Sequence, residues 1–290
     1  MALLELLAGS PVLFVILAVL LGLMVGSFLN VVIYRLPLMM EREWRTQCAE
    51  LLDQPDPESE RPPLTLWGPR SQCPSCGHLI QAAENIPLLS YVLQHGRCAH
   101  CSAAIGIQYP LVEALSGILA GVVAWKLGFG WPALAALAFT WILLAASAID
   151  FRHQLLPDNL TLPLLWLGLG VALFGLFADL PSAVIGAMAG YLSLWLVYHL
   201  FRLLTGKEGM GHGDFKLLAA LGAWTGESYL ITIILLSSLV GALFGLALIL
   251  FRGRDRQIPM PFGPFLAAAG WIALLWGEAI NRAYLNWLGF

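Results

Sequence analysis

Seven stretches of the chain stay apolar for about 20 residues, the length that crosses a hydrocarbon layer as a helix. They lie near 11–33, 110–128, 131–149, 159–178, 182–201, 229–251 and 261–281. An eighth apolar run, roughly 214–227, is shorter. The one long polar stretch is 34–109, with arginines, acidic residues and prolines at 55, 57, 62, 63 and 69. Its part from Glu41 to Pro63 reads as a solvated linker. Short polar loops join the third segment to the fourth and the seventh to the eighth, and no internal repeat is evident. The pattern predicts an all-α polytopic membrane protein, with about eight membrane segments in a helical bundle. Residues 1–33 form the first span, 34–109 an inserted loop, and 110–290 the remaining membrane domain.

Charge placement sets the orientation. If all eight segments cross and the N-terminus is outside, every Lys and Arg except Lys126 and Arg282 falls on the cytoplasmic side. If the short segment does not cross, Arg252, Arg254 and Arg256 move outside, which the positive-inside rule disfavours. Eight crossings are therefore expected, the short one being partly re-entrant at most. The opening Met1-Ala2-Leu3-Leu4-Glu5 lacks the basic flank of a cleaved signal, so the first span is read as retained. Composition agrees: hydrophobic residues are 59% and charged residues 11%, with mean hydropathy +0.79. A net charge of −3 argues against nucleic acid as a partner.

Inside the polar loop, Cys73-Pro74-Ser75-Cys76-Gly77 and Cys98-Ala99-His100-Cys101 form two C-x2-C knuckles. Four thiolates so spaced suit a tetrahedral Zn²⁺, two ligands coming from each tight turn. The reducing side of the membrane disfavours disulfides. A closed four-ligand site has no open position for substrate, so the ion is structural and folds a small zinc-ribbon-like insertion over about 70–105. Cys48 reads as a plain thiol, and His78 and His100 as surface histidines.

Two aspartates stand at the edges of apolar segments. Asp150 ends the third, and Asp214 opens the short sixth, within Gly211-His212-Gly213-Asp214. A carboxylate at a membrane boundary is costly unless paired, solvated or used. The topology puts both on one face although they are 64 residues apart. Two carboxylates brought close do not both ionise easily and share a proton, as in aspartic proteases. Gly211 and Gly213 let a substrate backbone approach. Taken alone, Asp214 is a candidate helix N-cap and Asp150 an interfacial end. As a pair framed by glycine, they read as a catalytic dyad. Asp158 reads as an N-cap, His153 and His212 as neutral interfacial histidines, and Lys216 as a residue that tunes Asp214 or binds lipid phosphate. Glu113 is either solvated at the interface or part of a polar pocket.

With these residues in hand, the chain resembles the type 4 prepilin peptidases, GxGD-class intramembrane aspartic proteases. The resemblance covers almost the whole length. It runs through Gly26-Ser27-Phe28-Leu29-Asn30-Val31-Val32, the paired knuckles and Tyr109-Pro110-Leu111-Val112-Glu113. It continues in Ile149-Asp150, Leu155-Leu156-Pro157-Asp158, Gly209-Met210-Gly211-His212-Gly213-Asp214-Phe215-Lys216 and Pro261-Phe262-Gly263-Pro264-Phe265.

It implies a bifunctional enzyme of the bacterial inner membrane, with its active site toward the cytoplasm. Such enzymes cleave the basic leader of prepilins and type II secretion pseudopilins after a glycine. They then N-methylate the new terminal residue with S-adenosylmethionine. Asp150 and Asp214 match the catalytic pair. No Gly-rich dinucleotide fingerprint supports the methyl-transfer half, which rests on the resemblance. Ser27, Asn30 and Glu113 are candidate contacts for the methyl donor. The structural alternative for them is helix-to-helix packing by small and polar residues.

The expected substrate places its apolar helix among the spans, with the leader junction unwound beside the dyad. Acidic residues in 41–60 would attract the basic leader. Two rival readings remain: a proton-coupled transporter using the two aspartates as a relay, and a scaffold whose ribbon docks an assembly partner.

Overall fold

The computed structural model describes residue 5 and residues 8–55, 62–252 and 260–288. Asp56, Glu58, Glu60, Arg254 and Arg256, which carried parts of the charge arguments above, lie outside the described residues. All eight expected segments are helical: α1 (Pro11–Leu51), α3 (Gln108–Leu127), α4 (Trp131–His153), α5 (Asp158–Ala172), α6 (Leu180–Thr205), α7 (His212–Thr225), α8 (Leu230–Arg252) and α9 (Gly263–Leu288). A single-turn helix, α2 (Leu89–Leu93), lies in the polar loop. Among the described residues, six helices are long and apolar enough to cross a membrane; α5 and α7 are shorter. Among the described residues, strand pairing is limited to two isolated bridges. The chain divides into two compact units, Met1–Phe129 and Gly130–Phe290.

In the first unit α1 and α3 run antiparallel with small residues facing each other. A Cβ on Gly22 would lie 2.7 Å from the Ser116 carbonyl, and one on Gly26 would lie 2.8 Å from Glu113 Cα. Such close backbone approach is how helices associate where lipid provides no hydrophobic gradient. The sequence predicts a linker from Glu41, but α1 continues to Leu51. Arg45 pairs with Glu41 and Gln47 with Glu43 one turn apart, which supports helix in a polar stretch. Arg35, 8% exposed, donates to the carbonyls of Thr65 and Pro69 and ties the following loop to α1.

In the second unit α7 is buried on every side, from Phe215 and Leu217 through Trp224. A helix apolar all round belongs in the middle of a bundle. Gly186 and Gly190 of α6 let it press against α7: a Cβ on Gly190 would lie 2.6 Å from the Leu218 carbonyl. Trp224 anchors the far end of α7 by donating from Nε1 to the Leu164 carbonyl at 2.8 Å. The core of this unit gathers Phe139, Leu143, Leu164, Leu194, Phe215, Leu218, Trp224 and Leu266 around that axis. The short sixth segment is thus the element around which its longer neighbours pack.

Candidate active site

Three helix ends of the second unit converge on the two aspartates. Asp150 occupies the last turn of α4, which ends where Gln154 takes a φ of 52° and bonds back to the Asp150 carbonyl at 2.9 Å. Asp214 lies in the first turn of α7, with Gly211 as the extended cap residue. Its backbone N–H donates to the Gly211 carbonyl at 3.2 Å. The third end is the start of α9, where the Gly263 N–H donates to Asp150 Oδ2 at 3.0 Å. Asp150 is 6% exposed and Asp214 7%. The charge of one carboxylate acts on the other, and helix N-termini present N–H groups that favour negative charge. The structure therefore brings together the two residues that the sequence pairs.

The space beside them is kept by glycine. A Cβ on Gly263 would lie 2.6 Å from Asp150 Oδ2 and 3.2 Å from Leu156 Cδ1. A Cβ on Gly213 would lie 2.7 Å from Leu156 Cβ. Leu156 is the buried wedge that both glycines accommodate. Gly211 has ordinary room, since its Cβ would be 3.8 Å from Asp214 Oδ2. Lys216 does not reach the dyad. Its ammonium takes both oxygens of Asp158 at 2.7 Å, joining the first turns of α5 and α7. Asp158 is the first helical residue and Pro157 occupies the cap position where an Asp158 cap was expected. His212 packs its ring on Tyr198 and Phe215, and His153 is exposed.

In the first unit, Cys73, Cys76, Cys98 and Cys101 place their sulfurs within 4.8 Å of one another. That donor set and spacing suit a tetrahedral ion. The two knuckles repeat one geometry. Gly77 and Ser102, each four residues after the first cysteine of its knuckle, take positive φ of 72° and 58°. Their N–H groups return to the carbonyls of Cys73 and Cys98 at 2.9 Å. Backbone N–H groups of Ser75, and then of Cys76, hold the Cys73 thiol down at about 6, which favours the thiolate that binds metal. His78 and His100 stack on each other, and His78 bonds the Glu84 carboxylate at 3.0 Å. The Gln81 N–H, followed by His78, holds Glu84 below the usual carboxylate range.

Ser27, Asn30 and Glu113 are also brought together, where α1 crosses α3. Asn30 donates to the Tyr109 carbonyl at 3.0 Å, and Glu113 accepts the Leu88 N–H at 2.9 Å. The Ser27 hydroxyl lies within hydrogen-bond reach of Glu113 and of Asn85. Asn30 Oδ1 is buried without a partner, an orphaned acceptor that fits a bound polar ligand here.

Sequence reasoning assigned no role to Gly263, Leu156, Asn85 or Leu88. The stretch Pro261-Phe262-Gly263-Pro264-Phe265 was visible as a motif, yet a backbone donor leaves no side-chain signature.

Comparisons with known proteins agree along the whole length. Residues 20–127 match the model described as the bacterial peptidase A24 N-terminal domain, and residues 137–246 that of the type IV leader peptidase family. A prepilin leader peptidase/N-methyltransferase of Pseudomonas aeruginosa is 57% identical over 290 residues, covering 100% of both chains. One from Aeromonas hydrophila is 57% identical over 284 residues, 98% of each chain. One from Xanthomonas campestris is 50% identical over 269 residues, 93% of each. No solved structure matches the chain significantly.

Proposed function

The chain belongs to the type IV leader peptidase family, and from that premise we propose that it removes the leader peptides of type 4 prepilins and type II secretion pseudopilins and then N-methylates the new terminal residue. The observation that carries the first half is the burial of Asp150 and Asp214 at one meeting point of helix ends. Cleavage is assigned to the membrane domain of 110–290. Its orientation toward the cytoplasm in the bacterial inner membrane is supported by the distribution of Lys and Arg.

In the proposed mechanism the ionised aspartate takes a proton from water, and the water oxygen attacks the scissile carbonyl carbon. The protonated partner gives its proton to the carbonyl oxygen. Collapse of the tetrahedral adduct breaks the C–N bond: one carboxyl passes its proton to the leaving nitrogen, the other carboxylate takes the proton of the adduct's hydroxyl, and the pair returns to one shared proton. Gly263 fixes the Asp150 carboxylate by its N–H, and the missing side chains at Gly213 and Gly263 leave room for Leu156 and Asp150 as they stand. Lys216 and Asp158 act at one remove, by tying the helix that carries Asp214 to α5.

Cys73, Cys76, Cys98 and Cys101 would hold a structural Zn²⁺, which supplies a cross-link between the knuckles. Ser27, Asn30 and Glu113 would hold S-adenosylmethionine, whose chemistry there is an electrophilic methyl group. Purified protein in lipid, incubated with a prepilin and S-adenosylmethionine, tests the proposal by mass spectrometry. Leader loss plus one methyl group is expected. Intact prepilin together with proton-coupled flux in proteoliposomes would favour the transporter reading instead.

A further inference from the structure

Glu113 is a buried acid that leader cleavage does not use. It is 8% exposed, and among the described residues no lysine, arginine or histidine pairs with it. A buried carboxylate is costly unless it is paired and fully hydrogen-bonded. One backbone N–H, from Leu88, and the reach of the Ser27 hydroxyl leave part of its acceptor capacity open. The Leu88 donor is held at a cost. Leu88 has φ 59° and ψ −46°, in a tight turn closed by the Leu89 N–H to the Pro87 carbonyl at 2.6 Å.

Asn30, 4% exposed, supplies a second and independent sign. Its Nδ2 donates to the Tyr109 carbonyl, one turn before Glu113 on α3, while its Oδ1 has no donor. Where α1 crosses α3, a buried anionic acceptor with capacity to spare thus stands on one helix and a buried acceptor with no donor on the other. The complement is a compact cation with several N–H groups, which describes a primary ammonium. A way in exists, since Asn85 is exposed and bonds the half-buried Ser27, whose hydroxyl reaches Glu113.

We propose that Glu113 and Asn30 form the seat of a primary ammonium group, with Ser27 and Asn85 lining its approach. This rests on the methyl-transfer reading, in which two reactants carry such a group. One is the amino-acid end of the methyl donor; the other is the amino terminus freed by leader cleavage.

The test uses the full chain in lipid nanodiscs and two pairs of probes. The first pair is S-adenosylhomocysteine and its desamino analogue. The second is a peptide with the mature pilin terminus, free or acetylated at its amine. Wild type should prefer the amine-bearing member of one pair by about tenfold or more in affinity. Glu113→Gln, which keeps the acceptor for Leu88, should abolish that preference without weakening the amine-free member. Asn30→Ala should reduce it. The pair that responds identifies which ammonium is seated. An unchanged preference in both pairs, or an equal loss for both members, would overturn the seat. If wild type shows the preference but transfers no methyl group to cleaved pilin, the methyl-transfer reading fails and the seat stands.

Discussion

The Gly263 N–H meets Asp150 Oδ2 at 3.0 Å, joining the start of α9 to the end of α4 across 113 residues of chain. What this position needs is space. An added methyl would lie 2.6 Å from the same oxygen, so Gly263→Ala must move the carboxylate or the start of the helix. Shifts of about 1 Å at a reacting group cost on the order of 10²-fold in rate. Gly263→Ala should therefore lower prepilin cleavage by about that factor while the protein remains folded. Cleavage rates beside thermal unfolding of the same samples check this.

Asp150 and Asp214 were legible because charge at the edge of an apolar run is rare and costly. The cysteines were legible because four thiols in two C-x2-C pairs have few other uses. What sequence did not convey was supplied by backbone or by absence: the Gly263 donor and the gaps filled by Leu156. Lys216 could be placed near Asp214 in sequence, but its partner Asp158 is 58 residues away and only the packing of α5 on α7 joins them. The continuation of α1 past Glu41 was hidden because its polar, acidic composition resembles that of a linker, while the supporting contacts are one-turn pairs such as Glu41–Arg45.

The Lys216–Asp158 bridge is half exposed at the carboxylate, so solvent screening limits its contribution to about 1 kcal/mol at most. Lys216→Met and Asp158→Asn should each lower stability by no more than that. Their effects should fail to add in the double variant, because both remove one contact. Denaturation of the single and double variants measures the coupling, and additive losses would show that each residue has separate partners.

Ser102 and Gly77 occupy matching left-handed positions in the two knuckles, and only glycine does so without a steric penalty. Ser102→Gly should strengthen the ribbon by about 1 kcal/mol, and Gly77→Ala should weaken it by about 1–2 kcal/mol. The rate at which each variant loses zinc to a chelator should follow the same order: Ser102→Gly slowest, Gly77→Ala fastest.

Removing the metal should be felt locally. Residues 71–105 hold two isolated bridges and short helical turns, too little structure to persist without a cross-link. Chelation should release one zinc per chain and raise amide exchange across the two knuckles. Residues of α7, buried on every side, should retain their protection. Exchange that stays unaltered in the ribbon would mean that the four cysteines do not need an ion to order it.

The most direct test is leader removal by Asp150→Asn and Asp214→Asn beside wild type, followed by mass spectrometry on one prepilin in the same lipid. If the two carboxylates share the work of activating water and protonating the scissile group, wild type releases the leader and neither variant does. Cleavage at an undiminished rate in either variant would contradict a two-aspartate mechanism and remove that residue from it.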